Sequence, residues 1–260
     1  MDLHLKDKVV VVTGGSEGIG KAIVLEFLKE NCKVAVVARR QEVLDELLKE
    51  CAGKGFGGNI TAFSADVTDA GRMAEVCAAV VAKFGRLDVW INNAGKSLRK
   101  GLMDVSLEEW NQALNVNLTS AFICSKLAAT EMRKTGGGVI INCTSFATSI
   151  LTAGIGSYGV AKNGLRAMTD IFAAELAADN IRVIAYAPGL IETPLTAPRV
   201  AANRGYLESQ IALKRLGTPE DIAPAVVFLC SEQASYFTGT EVVIAGGKFC
   251  VQNPMYSWDK

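Results

Sequence analysis

Seven short apolar runs, at residues 8–13, 33–38, 60–65, 87–91, 139–143, 181–186 and 240–244, punctuate the chain, and longer segments of helical spacing fill the intervals between them. The first two runs, KVVVVT and KVAVVA, carry almost no polar residue. That is the pattern of strands covered on both faces, not the alternation of a half-exposed sheet. Helical patterns occupy 18–30, 41–51, 70–84, 117–134, 158–178 and 219–230. Strand–helix alternation implies right-handed crossovers. An α/β fold is therefore expected: a doubly wound, Rossmann-type parallel sheet of seven strands with helices on both faces. Gly-rich stretches at 53–59 and 136–138 are too short for linkers and read as turns from helix to strand. Residues 1–260 are expected to form one domain. Its one elaboration is a Pro-containing insert at about 192–217, a length at which connections often become lids or binding loops.

Composition narrows the function classes. Lys and Arg total 27 against 27 Asp and Glu, so no net field favours nucleic acid or an anionic membrane as partner. No apolar run approaches the roughly 18 residues of a bilayer-spanning helix. The N-terminus, MDLHLKD, lacks the basic-then-apolar order of a secretion signal, and a cytoplasmic location is expected. The seven cysteines are dispersed without a C-x-x-C pair and read as free core thiols of a reducing compartment. A single histidine, His4, removes His-based catalysis and most zinc chemistry; no metal site is expected.

The first strand–helix junction reads Thr13-Gly14-Gly15-Ser16-Glu17-Gly18-Ile19-Gly20. Glycines there let the backbone approach a diphosphate, while the helix N-terminus offers free N–H groups and a favourable dipole. Glycines also serve purely structural turns, so the position at the first junction carries the nucleotide reading. The second strand ends Val37-Ala38-Arg39-Arg40. In such a sheet an acidic residue usually takes the 2′-hydroxyl of NAD(H) at this point. Two guanidiniums instead suit a 2′-phosphate. NADP(H) is expected, with Arg39 as chief contact and Arg40 as helper, and NAD(H) is the alternative. Glu17 on the adjoining loop argues the other way, and the two arginines also suit a plainly solvated helix start.

Tyr158 and Lys162 stand four residues apart, on one face of a helix. A tyrosine near pKa 10 carries protons poorly at neutral pH, and a neighbouring ammonium favours its phenolate. Such a pair can act as a general acid/base, though a surface pair is the bland alternative. Ser145 lies just past the end of the fifth strand, the end that faces the ligand crevice in open α/β sheets.

Together these segments resemble the short-chain dehydrogenase/reductase family over nearly the whole chain. The matching residues are TGGSEGIG at 13–20, Asp66-Val67, Asn92-Asn93-Ala94-Gly95, Asn117 within Asn115-Val116-Asn117-Leu118, Ser145, Tyr158-x-x-x-Lys162 and Pro188-Gly189-Leu190-Ile191-Glu192-Thr193. The resemblance implies hydride transfer between a nicotinamide and a carbonyl or alcohol, the hydride being carried by the cofactor. Tyr158 would be the acid/base and Lys162 would lower its pKa and bind the nicotinamide ribose. Ser145 would hold the substrate oxygen, and Asn117 would hold a relay water leading from Lys162. Gly14, Ser16, Glu17, Gly18, Ile19 and Gly20 would surround the diphosphate, with Asp66 and Val67 at the adenine. The backbone of Asn93, Ala94 and Gly95 would flank the cofactor, and Pro188, Gly189, Ile191 and Thr193 would cover the nicotinamide. Asn92 reads as structural. Ala245-Gly246-Gly247 departs from the family in lacking an acidic residue before the glycine pair.

The candidate substrate wall is Ser97, Leu98, Phe146, Leu151, Leu190, Leu195 and part of the insert. These residues suit a medium-sized, partly hydrophobic small molecule. Arg99 and Lys100 read either as contacts for an anionic substrate tail or as a solvated loop. Cys143 reads as a core thiol. The aromatics of the tail Asn253-Pro254-Met255-Tyr256-Ser257-Trp258 could pack on a neighbouring subunit, cap a pocket or be loosely ordered. Surplus apolar residues on the helices at 117–134 and 158–178 (Ala121, Phe122, Ala128, Ala129, Phe172, Ala173 and Ala177) suggest a homotetramer or homodimer. A broad carbonyl reductase leads over a sugar or polyol dehydrogenase and a 3-oxoacyl reductase. A cofactor-sensing regulator would not need Ser145, Tyr158 and Lys162, and an extended-type epimerase or dehydratase needs a larger substrate lobe.

Overall fold

The computed structural model describes residues 2–248, 250, 254–256 and 258. One parallel sheet of seven strands runs in the order β3-β2-β1-β4-β5-β6-β7. Its members are β1 (Val9–Thr13), β2 (Lys33–Ala38), β3 (Ile60–Ser64), β4 (Val89–Asn92), β5 (Gly138–Cys143), β6 (Ile181–Pro188) and β7 (Thr240–Ile244). Every expected strand is present, and the boundaries differ by no more than two residues.

The apolar runs are explained by two cores, one on each face. Val10 and Val12 of β1 point into a cluster with Ile23, Phe27, Ile222 and Val226. The alternate residues Val9 and Val11 point the other way, to Met73, Val76, Ala128 and Met132. The first layer is built from α1 (Gly18–Lys29), α2 (Gln41–Gly53) and a later helix, Pro219–Cys230. The second comprises α3 (Ala70–Phe84) and two helices after β4. Fully burying each such side chain contributes roughly 1.5–3 kcal/mol, so neither face of β1 tolerates a polar residue.

Two regions differ from expectation. The helix expected at 117–134 is a π-helical turn at Asn115–Thr119 followed by α5 (Ser120–Arg133), and a helix not expected, α4 (Leu107–Leu114), leads into it. α4 starts where Ser106 Oγ accepts from the Glu109 N–H at 3.1 Å and Glu109 Oε2 accepts from the Ser106 N–H at 3.0 Å, a reciprocal cap. After α6 (Gly156–Leu176), the insert holds a helix of its own, α7 (Ala197–Glu208), followed by α8 (Pro219–Cys230). Val200, Leu207, Ile211 and Leu216 of this region close on Leu190 as a small third core. The insert is thus seated on the β6 exit.

Ala121, Ala128, Ala129 and Ala173 are buried within the subunit, so they are not part of an outward surplus. Phe122 and Phe172 stack at 6.1 Å, with Phe122 43% exposed. All seven cysteines are free; six are buried and Cys250 is exposed. In the tail, Asn253 and Ser257 lie outside the described residues. Trp258 Nε1 donates to the Ala212 carbonyl at 2.9 Å, and its ring lies 5.0 Å from Lys214 Nζ, so it rests on the insert. No helix among the described residues is long and apolar enough to cross a membrane.

β1 connects outward to β2 and β3, after which the chain returns to β4 on its other side. The connections leaving β1 and β4 therefore diverge and open a crevice at the carboxyl ends of the strands.

Candidate active site

The glycine turn forms one wall of that crevice. Gly14 and Gly18 adopt φ of +64° and +52°, and a Cβ on Gly20 would lie 2.2 Å from the Gly14 carbonyl oxygen. Only glycine fits such an approach. Glu17 precedes α1 without a side-chain cap, so the first-turn N–H groups of the helix are not satisfied by that side chain. Thr13 Oγ1 accepts from the Asn93 and Ala94 N–H groups at 3.0 and 3.2 Å. Asn93 Nδ2 donates to the Thr13 and Gly14 carbonyls at 3.0 and 3.1 Å, and its Oδ1 accepts from the Tyr186 hydroxyl at 2.9 Å. The side chain of Asn93, expected to matter through its backbone, therefore ties the β1 loop to β4 and β6.

Beyond the turn, a second groove is lined by Gly14, Ser16, Glu17, Ala38, Arg39, Arg40, Asp66 and Val67. Arg40 is not a free helper there. Its guanidinium is ion-paired to Glu17, so the glycine turn and the end of β2 neutralise one another here. Asp66 Oδ1 accepts from the Thr68 N–H at 2.9 Å and the Thr68 hydroxyl at 2.7 Å. Burial pushes the Asp66 pKa up, but those two bonds and the nearby Arg39 together outweigh it and hold the carboxyl below its ordinary value.

Tyr158 and Lys162 occupy one face of α6 and turn toward Ser145 at the end of β5. All three line a single cavity of about 340 Å³ with Gly14, Gly18, Asn117, Pro188, Gly189, Ile191 and Thr193. Lys162 is 3% exposed and donates from Nζ to the Cys143 carbonyl at 2.7 Å. Its ammonium stands 5.8 Å from the centre of the Tyr158 ring. Ser145 Oγ accepts from the Ala147 N–H at 3.2 Å, an arrangement in which its own proton can be donated elsewhere.

Burial pushes the Tyr158 phenol up to about 12, the Cys143 thiol adds to this, and hydrogen bonding from Ser145 opposes it. Lys162 does not bring the phenol below its ordinary value. Burial lowers the lysine's own pKa, with Cys143 acting against it, and its Nζ is engaged by the Cys143 carbonyl rather than by the phenol oxygen. At neutral pH the Tyr158 phenol is therefore protonated.

Asn117 sits in the π-helical turn, 1% exposed. Its Nδ2 donates to the carbonyls of Lys96 and Ala113, both at 2.9 Å, and its Oδ1 accepts from the Lys96 N–H at 3.1 Å. A Cβ on Gly95 would come within 2.9 Å of that oxygen and 3.5 Å of Lys162 Nζ. Glycine at 95 is what lets this loop pass between them.

Of the expected wall, Ser97, Phe146, Leu190 and Leu195 line the cavity, whereas Leu98 and Leu151 do not. Cys143 borders it while 8% exposed. Lys100 is drawn away to Glu109 Oε1 at 2.5 Å, while Arg99 remains in the lining. Two residues went unnoticed in the sequence: Arg199 of α7, which also lines the cavity, and Glu241 of β7. The Glu241 carboxylate accepts from the hydroxyls of Thr144 and Thr148 on either side of Ser145.

A family model described as Enoyl-(Acyl carrier protein) reductase matches residues 14–248. A 3-oxoacyl-(acyl-carrier-protein) reductase of Thermotoga maritima is 38% identical over 245 residues, covering 94% of this chain and 99% of the relative. A 3alpha-hydroxysteroid dehydrogenase of Mediterraneibacter gnavus is 35% identical over 95% of this chain and 98% of its own length. The crystal structure of a short-chain type dehydrogenase/reductase from Mycobacterium marinum superposes with a TM-score of 0.91 at 32% identity, covering 96% of this chain and 98% of that one. The protein is an oxidoreductase acting between CH–OH and C=O groups, and it belongs to the short-chain dehydrogenase/reductase family.

Proposed function

We propose that this protein is an NADP(H)-preferring carbonyl reductase, able also to use NAD(H), and that Tyr158 is its general acid/base. The observation that carries the reading is the convergence of Tyr158, Lys162 and Ser145 on the cavity that the glycine turn also borders. When bound, the nicotinamide supplies or accepts the hydride. The residues fit such a dinucleotide: no Cβ is tolerated at Gly20, and α1 begins without a side-chain cap beside it, the arrangement that receives a diphosphate. Gly14, Ser16, Gly18, Ile19 and Gly20 would hold that group. Arg39 would meet a 2′-phosphate, and Asp66 and Val67 the adenine. Ala94, Gly95, Pro188, Gly189, Ile191 and Thr193 would flank the nicotinamide half.

In carbonyl reduction, Tyr158 delivers its phenol proton to the substrate oxygen while Ser145 donates a hydrogen bond to the same atom. Two donors aimed at the oxygen where negative charge grows stabilise the transition state more than the ground state. Lys162 holds its ammonium beside the phenol, so that the negative charge left on Tyr158 is met at once. Asn117 keeps one acceptor position on Oδ1, the valence a relay water would use.

The insert at about 192–217 serves as the substrate loop of a single catalytic domain. Cytoplasmic residence agrees with the free thiols. A homotetramer or homodimer would cover Phe122 on α5 and Ile171 on α6, which are 43% and 58% exposed. A 3-oxoacyl reductase is the second reading, favoured by the Thermotoga maritima relative.

The test is initial-rate kinetics with a panel of ketones, sugars, polyols and 3-oxoacyl thioesters against both cofactors. A higher kcat/KM with NADPH than with NADH is expected for at least one ketone. Preference for NADH removes the cofactor assignment, and no turnover of any carbonyl with either removes the carbonyl-reductase assignment.

A further inference from the structure

Two guanidiniums stand in the cavity lining. Arg99 reaches it from the loop after β4, and Arg199 reaches it from the first turn of α7. Burial is the larger cause of a lowered Arg199 pKa, and repulsion from Arg99 is the next, so the two guanidiniums feel each other. No carboxylate among the described residues forms an ion pair with either one. The acid that does line the cavity, Glu17, belongs to the glycine turn and is held by Arg40. Glu192, at the start of the insert, is gripped by Arg204 through contacts of 2.9 and 2.7 Å. A third cation, Lys248, is 5% exposed; it donates to Gln210 Oε1 at 2.7 Å and lies 5.7 Å from the ring of Phe146, a cavity wall. Burial, and secondarily Arg199, push its pKa down to about 8.

This grouping is unfavourable by itself. A cation in the first turn of a helix opposes the helix dipole, and α7 has no acidic residue in that turn to offset it. Like charges brought together at a partly desolvated pocket raise one another's energy. An anion held between two guanidiniums relieves each of these costs through charge-assisted, paired hydrogen bonds.

We propose that the substrate is an oxo or hydroxy compound carrying an anionic group, with its carbonyl at Tyr158 and Ser145 and its carboxylate or phosphate between Arg99 and Arg199. This rests on the carbonyl-reductase reading above and names the substrate class for that site. The recognition is of charge, carried by the two guanidiniums, while Phe146, Leu190 and Leu195 offer the same cavity apolar wall.

The probes are matched pairs: acetoacetate and levulinate against their methyl esters, and dihydroxyacetone phosphate against dihydroxyacetone, each with NADPH and with NADH. At least one charged member is expected to exceed its neutral partner by roughly tenfold or more in kcat/KM, as one or two charge-assisted hydrogen bonds would give. The pair that shows this ratio tells carboxylate from phosphate. In the double variant Arg99→Met/Arg199→Met the ratio should collapse while neutral probes keep their rates to within about twofold. Arg199→Lys should restore part of it. Neither arginine lines the adenosine groove, so NADPH binding reports that the variants have folded. Equal rates for charged and neutral partners, or equal losses for both in the double variant, overturn the inference and leave hydride transfer standing. Failure of every probe, neutral ones included, overturns the carbonyl-reductase reading and the inference with it.

Discussion

The Glu241 carboxylate accepts the Thr148 hydroxyl at 2.7 Å with one oxygen, while its other oxygen accepts the Thr144 hydroxyl at 2.6 Å. Its side chain is 6% exposed, with Arg166 Nε 3.8 Å away. Ser145 lies between the two threonines in the chain, so an acid on β7 fixes the loop that aims the Ser145 hydroxyl. Glu241 touches no reacting atom and acts as a positioning residue. Replacing it by Ala removes the carboxylate that ties the two hydroxyls together, leaving them only the Tyr186 and Ser145 carbonyls, and lets Ser145 drift. Small misplacements of a catalytic group cost up to about a hundredfold in rate. Glu241→Ala should lower kcat by roughly ten- to hundredfold with little change in the dissociation constant for NADPH, and Glu241→Gln, which keeps an acceptor oxygen, should recover much of it. A purely structural role would instead reduce the yield of folded enzyme and leave kcat per active site unchanged.

Asn92 is structural, but in the core instead of a loop. Trp90 Nε1 donates to Asn92 Oδ1 at 2.9 Å, and Asn92 Nδ2 donates to Ser125 Oγ at 3.0 Å and Asn142 Oδ1 at 2.9 Å. Asn142 Nδ2 passes the chain on to Thr169 at 2.9 Å. β4, β5, α5 and α6 are thus stitched together through buried amides, a network whose members depend on each other. Asn142→Leu strands the Asn92 donor and the Thr169 acceptor. Each unsatisfied buried group costs about 1–3 kcal/mol, so urea unfolding should show a lower midpoint and a loss of roughly 2–5 kcal/mol. An unchanged midpoint would mean that the network contributes nothing net.

The sheet was legible because its strands are apolar on both faces, and a run such as Val9–Thr13 has few other uses. That Tyr158, Lys162 and Ser145 would meet was legible because Tyr158 and Lys162 share one helix and Ser145 ends a strand. α4 also had a local sign, Ser106 with Glu109 three residues on, which the weak periodicity of the following turns obscured. The π-helical turn around Asn117 has no such sign, because an extra residue in a helix is decided by packing. Arg199 and Glu241 were hidden for a different reason. Each reaches the site from an element far along the chain, and the insert that carries Arg199 folds on Leu190 through contacts that no local pattern announces. The Glu17–Arg40 pair was half visible: both residues stood out, but their mutual contact is tertiary.

The proton chemistry of Tyr158 gives a direction to the pH dependence. With the phenol pushed up to about 12, the protonated form predominates throughout the neutral range. Reduction needs that form, so kcat/KM for carbonyl reduction should stay level from about pH 6 to about pH 9 and fall only at higher pH. Alcohol oxidation needs the phenolate and should climb with pH over the same range. Tyr158→Phe should abolish the climb and lower reduction by roughly a hundred- to ten-thousandfold, while NADPH binding measured by fluorescence persists. A reduction rate that climbs with pH would exclude Tyr158 as the acid.

The Glu17–Arg40 ion pair bears on the choice of cofactor. Glu17 faces the groove where Arg39 and Arg40 converge and withholds one of the two guanidiniums. A 2′-phosphate must then be met chiefly by Arg39, in a field that Glu17 partly cancels. Glu17→Gln removes that charge and frees Arg40, so kcat/KM with NADPH should increase several-fold, about the effect of one exposed, screened charge contact, and the value with NADH should move little. Arg39→Ala should act in the opposite sense, lowering the NADPH value by roughly tenfold or more, as loss of a charge-assisted contact does. Both effects should shrink as salt is raised, because the groove is open to solvent. If Glu17→Gln leaves the NADPH:NADH ratio unchanged while Arg39→Ala abolishes it, Arg40 has no part in cofactor choice and its pair with Glu17 only secures the start of α2.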